Sequence, residues 1–180
     1  MTPPPEPDTV HPGNPAVFRK AVAIVGHSNS GKTELICRLL PCLAARGLRV
    51  AVLKHSHHSD LDLGDEGKDT WRYRQAGAQT VALAARGVLQ VTRAFPGEPP
   101  LEMVLETLAA EADMVLVEGY KSGPFPKVAV LGPDEGDEAP DYPHLIALVS
   151  DTPLKTRLPV FQPHQGEELG RCLHEFLTQT

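Results

Sequence analysis

Cysteine is scarce, with three residues in 180. Cys37 and Cys42 are five apart on one predicted helix and point in different directions, Cys172 is remote, and no C-x-x-C occurs. A disulfide scaffold and a thiolate zinc site are therefore not expected, and the thiols read as structural. Aromatics make up only 5% of the chain, which predicts a core of Leu, Val and Ala. No basic run is present and the net charge is −6, which argues against non-specific nucleic-acid binding. No uncharged apolar stretch approaches the roughly 18 residues of a membrane helix. The first residues, rich in proline and polar groups, lack the basic start and apolar centre of a signal peptide. A cytoplasmic location is the expectation. Apolar residues total 41%, enough for one sizeable domain.

One stretch organises what is present. Gly26-His27-Ser28-Asn29-Ser30-Gly31-Lys32-Thr33 reads G-x-x-x-x-G-K-T, follows the apolar run Ala21–Val25 and opens an amphipathic helix. That is the strand–loop–helix setting of a phosphate-binding loop. Its glycines let several backbone N–H groups converge on one anion, and the helix adds its positive end. Lys32 supplies a charge for the β- and γ-phosphates, and the Thr33 hydroxyl is a candidate Mg²⁺ ligand.

The rest of the chain alternates strands with helices, so the expected class is α/β, a P-loop NTPase three-layer fold with a mostly parallel sheet in a single domain. Residues 1–16, with six prolines, read as a disordered tail, leaving 17–180 as the nucleotide-binding domain. Strand 1 is expected within Val17–Val25. The next helix carries Ile36, Leu39, Leu40 and Leu43 on one face, with a kink or break near Leu40 because Pro41 lacks an N–H. Gly47 should close it. Strands are predicted at Leu48–Lys54, Met114–Val117, Lys127–Leu131, Leu145–Val149 and Val160–Phe161. Thr80–Ala85 and Val88–Thr92 read as a hairpin around Arg86-Gly87. Helices are predicted at Lys68–Ala76, Leu101–Ala110 and Gly166–Gln179, and Gly132–Pro143 as an acidic surface loop.

Three further constellations carry chemistry. Met114–Val117 followed by Glu118 is a Walker-B pattern, which would bring a carboxylate to the metal corner. The segment Lys54-His55-Ser56-His57-His58 with Asp60 and Asp62 forms a polar loop after a strand, where α/β sheets place ligands. These residue types suit a transition metal although the spacing is no fixed zinc pattern; Lys54 and the histidines are also placed to meet phosphate or partner groups, and a solvated polar loop is the plain alternative. Asp62 and Asp69 are candidates to reach a hydrated Mg²⁺. Asp151, at the end of another strand, is placed to accept from both N1–H and the 2-amino group of guanine, or to cap a turn beside Pro153. The N-K-x-D motif of ordinary GTPases is absent. No arginine finger or water-positioning glutamine is evident near the loop, so fast hydrolysis is not expected without help.

The chain resembles the MobB family, the adaptor proteins of molybdopterin-guanine dinucleotide biosynthesis. The resemblance rests on Gly26–Thr33, Lys54–His58, Gly67-Lys68-Asp69-Thr70, Arg74–Ala78, Leu116–Lys121 and Val149–Leu154, in family order. It implies a GTP-binding α/β fold with weak GTPase activity, a homodimer, and work beside the guanylyltransferase MobA and the molybdenum-insertion machinery. Two other functions fit the residues alone. One is a P-loop small-molecule kinase, for which Arg72, Arg74 and Arg86 give thin support. The other is a metal-delivery GTPase using the histidine loop.

Overall fold

The structure, a computed structural model, describes residues 15–56, 62–133 and 135–178. The chain packs as two compact units, Met1–Ser56 with Leu101–Thr180, and His57–Pro100. The first unit holds α1 (Pro15–Arg19), β1 (Ala21–Val25), α2 (Lys32–Ala44), β2 (Val50–Lys54), α4 (Leu101–Ala109), β5 (Met114–Glu118), β6 (Lys127–Val130), β7 (Leu145–Val149), β8 (Val160–Phe161) and α5 (Gly166–Thr178). The second holds α3 (Asp69–Gln75) and the strands β3 (Thr80–Ala85) and β4 (Val88–Arg93).

The six strands of the first unit form a parallel sheet in the order β2-β5-β1-β6-β7-β8. β1 is buried throughout, as its unbroken apolar run requires of a central parallel strand. Alternation sorts the sheet's side chains into two cores. Val22, Ile24, Met114, Leu116, Val128 and Val130 meet Leu35, Ile36, Leu39 and Leu43 of α2 and Leu169 and Leu173 of α5. Ala21, Ala23, Val25, Val115 and Val117 meet Val17 of α1 and Leu105 and Ala109 of α4. The arrangement is α/β and matches the three-layer expectation.

Several details differ from the sequence-based expectation. Residues 15–19 form a helix rather than the start of strand 1 or the end of a tail; Pro15 at its first position suits a helix start. α2 runs unbroken through Pro41. Its buried Leu39 and Leu43 flank the proline, so packing outweighs the one lost backbone bond. Gly47, in the left-handed region, closes the turn, with its N–H donating to the Ala44 carbonyl and that of Leu48 to Leu43. At the opposite end of β2 and β5, Asp113 accepts from the Arg49 guanidinium at 2.8 and 3.0 Å and from its backbone N–H at 2.9 Å.

Lys127 is a fully buried lysine at the head of β6. Its ammonium donates to the carbonyls of Gly123 (2.6 Å), Phe125 (3.1 Å) and Pro143 (2.9 Å), and burial pushes its pKa down. It thereby ties the loop after β5 to the turn before β7.

In the second unit β3 and β4 form the expected antiparallel hairpin, Thr80 pairing with Arg93 and Ala85 with Val88. α3 is preceded by a clasp in which Asp65 accepts from Arg74 (2.6 and 2.8 Å) and Thr70 (2.8 Å).

Candidate functional site

The loop between β1 and α2 bends where its residue types allow it. Gly26 has φ +151°, and a Cβ there would lie 2.3 Å from the Val130 carbonyl oxygen and 2.7 Å from Ser30 Oγ. Asn29 and Gly31 also take positive φ, at 61° and 92°. Asn tolerates that region and Gly is free in it. The result is a turn that hands directly into α2, whose first residues are Lys32 and Thr33. Ser28, Asn29, Gly31, Lys32, Thr33, Glu34, Lys54 and Glu118 line a cavity of about 520 Å³ at this point.

The parallel register brings the carboxylate to the loop. β5 lies beside β1 with Ile24 opposite Glu118. Alternation from Met114 and Leu116 turns Glu118 to the α2 side of the sheet. There Thr33 Oγ1 donates to the carboxylate, 3.0 Å from Oε2 and 3.1 Å from Oε1. The predicted pair of Thr33 and Glu118 is thus formed.

Lys32 donates to the His27 carbonyl and closes the loop on itself. Burial lowers its pKa first. The carboxylates of Glu118 and Glu135 oppose that shift, and the positive charges of Lys121 and Lys54 add to it. His27 Nδ1 in turn stands 2.8 Å from Glu135 Oε2, while the Gly132 N–H donates to Oε1 at 3.1 Å. Burial raises the Glu135 pKa, but its bonds to His27 and Gly132 and the nearby positive charge outweigh that and hold it lowered. Glu135 lies in the acidic loop read only as surface. No local pattern marks it, because its partner is a loop brought near by the β1–β6 pairing.

Residues Lys54, Tyr120 and Lys121 also belong here. Lys54 Nζ is 3.5 Å from Glu118 Oε1. Tyr120 has φ +51° and stacks on His55 at 4.1 Å between ring centroids.

The fit of a phosphate group is supported by the loop itself. Only a residue without a side chain fits at Gly26, and Ser30 Oγ is buried beside it with no hydrogen-bond partner among the described residues. The Thr33–Glu118 pair offers oxygen ligands of the kind Mg²⁺ takes.

Asp151 lies farther along the same sheet end. The Leu131 N–H donates to the Val149 carbonyl, so the ends of β6 and β7 are level, and Asp151 follows two residues later. Ser150 closes the turn, its Oγ accepting from the Thr152 N–H at 3.1 Å. Asp151 is exposed at a second cavity, of about 380 Å³, shared with Thr152, Pro153, Phe161, Gln162 and Gln165. The capping role considered for Asp151 therefore falls to its neighbour.

The remaining candidates lie in the second unit or outside the described residues. Asp62 accepts from the Gly64 N–H at 2.7 Å, and Asp69 opens α3 with Arg72 Nη1 3.8 Å away. His57, His58 and Asp60 lie outside the described residues. Among the described residues no group of three or more His, Cys, Asp or Glu side chains is arranged to hold a metal ion. Nor is any described helix long and apolar enough to cross a membrane.

Fold and site together define the class: an α/β protein built on a G-x-x-x-x-G-K-T loop between strand and helix, with the loop strand and the carboxylate strand side by side. Residues 21–151 match the family model described as MobB, molybdopterin guanine dinucleotide synthesis protein B. The chain belongs to the MobB family. It is similar to the molybdopterin-guanine dinucleotide biosynthesis adapter protein of Haemophilus influenzae, with 35% identity over 165 residues, covering 86% of this chain and 90% of that one. It is 31% identical to the adapter protein of that name from Escherichia coli K12, over 87% and 92% of the two chains. The crystal structure of Bacillus subtilis MobB superposes with a TM-score of 0.72 at 31% identity, covering 87% of this chain and 97% of that one. A MobB homolog from Bacillus stearothermophilus gives 0.67 at 26% identity, over 89% and 99%.

Proposed function

We propose that this protein is a cytoplasmic GTP-binding adapter with slow hydrolytic activity that assists guanylylation of molybdopterin. The observation that carries the nucleotide reading is the Thr33–Glu118 hydrogen bond beneath a loop whose first glycine admits no side chain. The loop amides and Lys32 would take the β- and γ-phosphates, and Lys32 must leave the His27 carbonyl to do so. Thr33 would ligate Mg²⁺, with Glu118 accepting the hydrogen bond of the Thr33 hydroxyl and orienting its oxygen; when bound, the ion would neutralise phosphate charge. Asp151 would read the guanine edge. Strands are spaced about 4.8 Å apart, so β7 lies roughly 10 Å from β1, a span that suits a base when the phosphates sit at the loop.

The adapter role is supported by the relatives, which carry that name. The natural partners are the guanylyltransferase MobA and the molybdenum-insertion machinery. A homodimer is part of the same reading. The β3–β4 ribbon leaves Leu83, Val88, Leu89 and Val91 between 52% and 68% exposed, and an uncovered two-stranded ribbon is marginal in water. A second copy of the chain is the cover we assign.

Titration calorimetry with GTP and Mg²⁺ tests the site. Lys32→Ala should abolish measurable binding, and unchanged affinity in that variant would refute the assignment.

A further inference from the structure

Resting on the nucleotide reading above, we propose that Lys54 is the residue that distinguishes a bound nucleoside triphosphate from a diphosphate, by contacting the γ-phosphate alongside Lys32. The placement follows from the sheet. β2 is the edge strand beside β5, with Lys54 directly opposite Glu118. Paired residues on neighbouring strands face the same way, so Lys54, like Glu118, points to the α2 side, where Thr33 begins its helix. The backbone just beyond it is fixed, because the His55 N–H donates to the Glu118 carbonyl at 3.0 Å and the His55 ring stacks on Tyr120. Lys54 thus enters the loop cavity as a fixed root with a flexible stem, and lines that cavity with Lys32, Thr33 and Glu118.

Its present partner holds it weakly. The ammonium is 3.5 Å from Glu118 Oε1, whereas Thr33 holds the same carboxylate at 3.0 and 3.1 Å. The Lys54 side chain is 63% exposed, and an ion pair of that kind contributes little. Charge balance supplies the reason to move. With Mg²⁺ held by Thr33, the Glu118 carboxylate beside it would have less charge left to hold Lys54. The γ-phosphate adds negative charge within the same cavity. Lys54 then exchanges one anionic oxygen for another a short distance away, and a diphosphate gives it nothing to exchange for. Burial is the main cause of the lowered Lys32 pKa, but the charge of Lys54 also contributes, so the two lysines already share one electrostatic site.

The experiment is calorimetric titration of GTP·Mg²⁺ and GDP·Mg²⁺ into the full chain, unsubstituted and as Lys54→Met and Lys54→Arg. Methionine keeps the apolar stem and removes the charge. Lys54→Met should weaken GTP·Mg²⁺ by about tenfold or more, the worth of one charge-assisted hydrogen bond. It should change GDP·Mg²⁺ by less than about threefold, and that retained affinity also shows the variant to be folded. Lys54→Arg should keep the preference for GTP. Equal weakening of both nucleotides would mean that Lys54 acts only by positioning Glu118, and it overturns the proposal, as does an unchanged ratio. If the unsubstituted protein binds neither nucleotide, the nucleotide reading fails first and this inference with it.

Discussion

Replacing Gly26 with alanine tests the loop geometry in its most exacting place. The added Cβ would meet the Val130 carbonyl oxygen at 2.3 Å and Ser30 Oγ at 2.7 Å. Ser30 can rotate. Val130 cannot move freely, because it ends β6, which is held between β1 and β7. The φ of +151° adds backbone strain for any L side chain. Strain of about 1–3 kcal/mol and overpacking of about 1–3 kcal/mol sum to roughly 4 kcal/mol. For a chain of this size each kcal/mol lowers Tm by about 2–4 °C, so the melting point should fall by roughly 10 °C. Gly31→Ala is the internal comparison. It has φ +92° but nothing within 4 Å of its Cβ, so it carries only the conformational cost, about 1–2 kcal/mol. Circular-dichroism melts of both variants without nucleotide give the answer. Equal shifts, or a Gly26→Ala melt within about 2 °C of the parent, would show that the Val130 contact is not what constrains the loop.

Other perturbations probe the chemistry. Glu118→Gln keeps shape and removes charge; it should slow Mg²⁺-dependent phosphate release from GTP more than it weakens binding, and equal hydrolysis at saturating Mg²⁺ would count against the metal corner. Asp151→Ala should collapse the preference for GTP over ATP in competition binding; an unchanged ratio places base reading elsewhere. The Asp65 carboxyl is held down to about 2 by Arg74 and Thr70, and that of Asp113 to about 2 by Arg49. Both stabilise the fold above the ordinary carboxylate range, near 3.8, and that contribution is lost as pH falls from about 4 to about 2. Asp65→Asn should accordingly lower stability at neutral pH and flatten the acid side of the denaturation curve; an unaltered curve would contradict the clasp. Leu89→Asp with Val91→Asp, on one face of the hairpin, should leave a monomer in sedimentation, whereas a persistent dimer would move the interface off that ribbon.

What the sequence makes legible is local or periodic. The phosphate loop stands out because its glycines, lysine and threonine act within eight consecutive residues. Glu118 is readable because a buried strand must end at the sheet's ligand edge, and a parallel neighbour then brings it to Thr33. The leucine spacing locates helix α2, but whether Pro41 breaks it is decided by the burial of Leu39 and Leu43, and burial is not local. Val17 and Phe18 are too short an apolar run to separate strand from helix. Glu135 and His27 meet only after β6 is laid beside β1, so nothing near either residue announces the pair. In the sequence Lys127 reads as an ordinary strand start, since the three carbonyls that receive its ammonium come from two separate loops. The hairpin was readable from alternation, but its uncovered apolar faces were not, because alternation does not say what lies across from a strand.

On the function proposed above, GTP loading lets this protein assist another protein's reaction. The direct measurement is reconstitution of a molybdoenzyme from its apoprotein, the guanylyltransferase, molybdopterin, molybdate and limiting GTP, with this protein present, absent, or carrying Lys32→Ala. The unsubstituted protein should raise the yield of active molybdoenzyme, and Lys32→Ala should not. No gain from the unsubstituted protein, or the same gain from both, would contradict it.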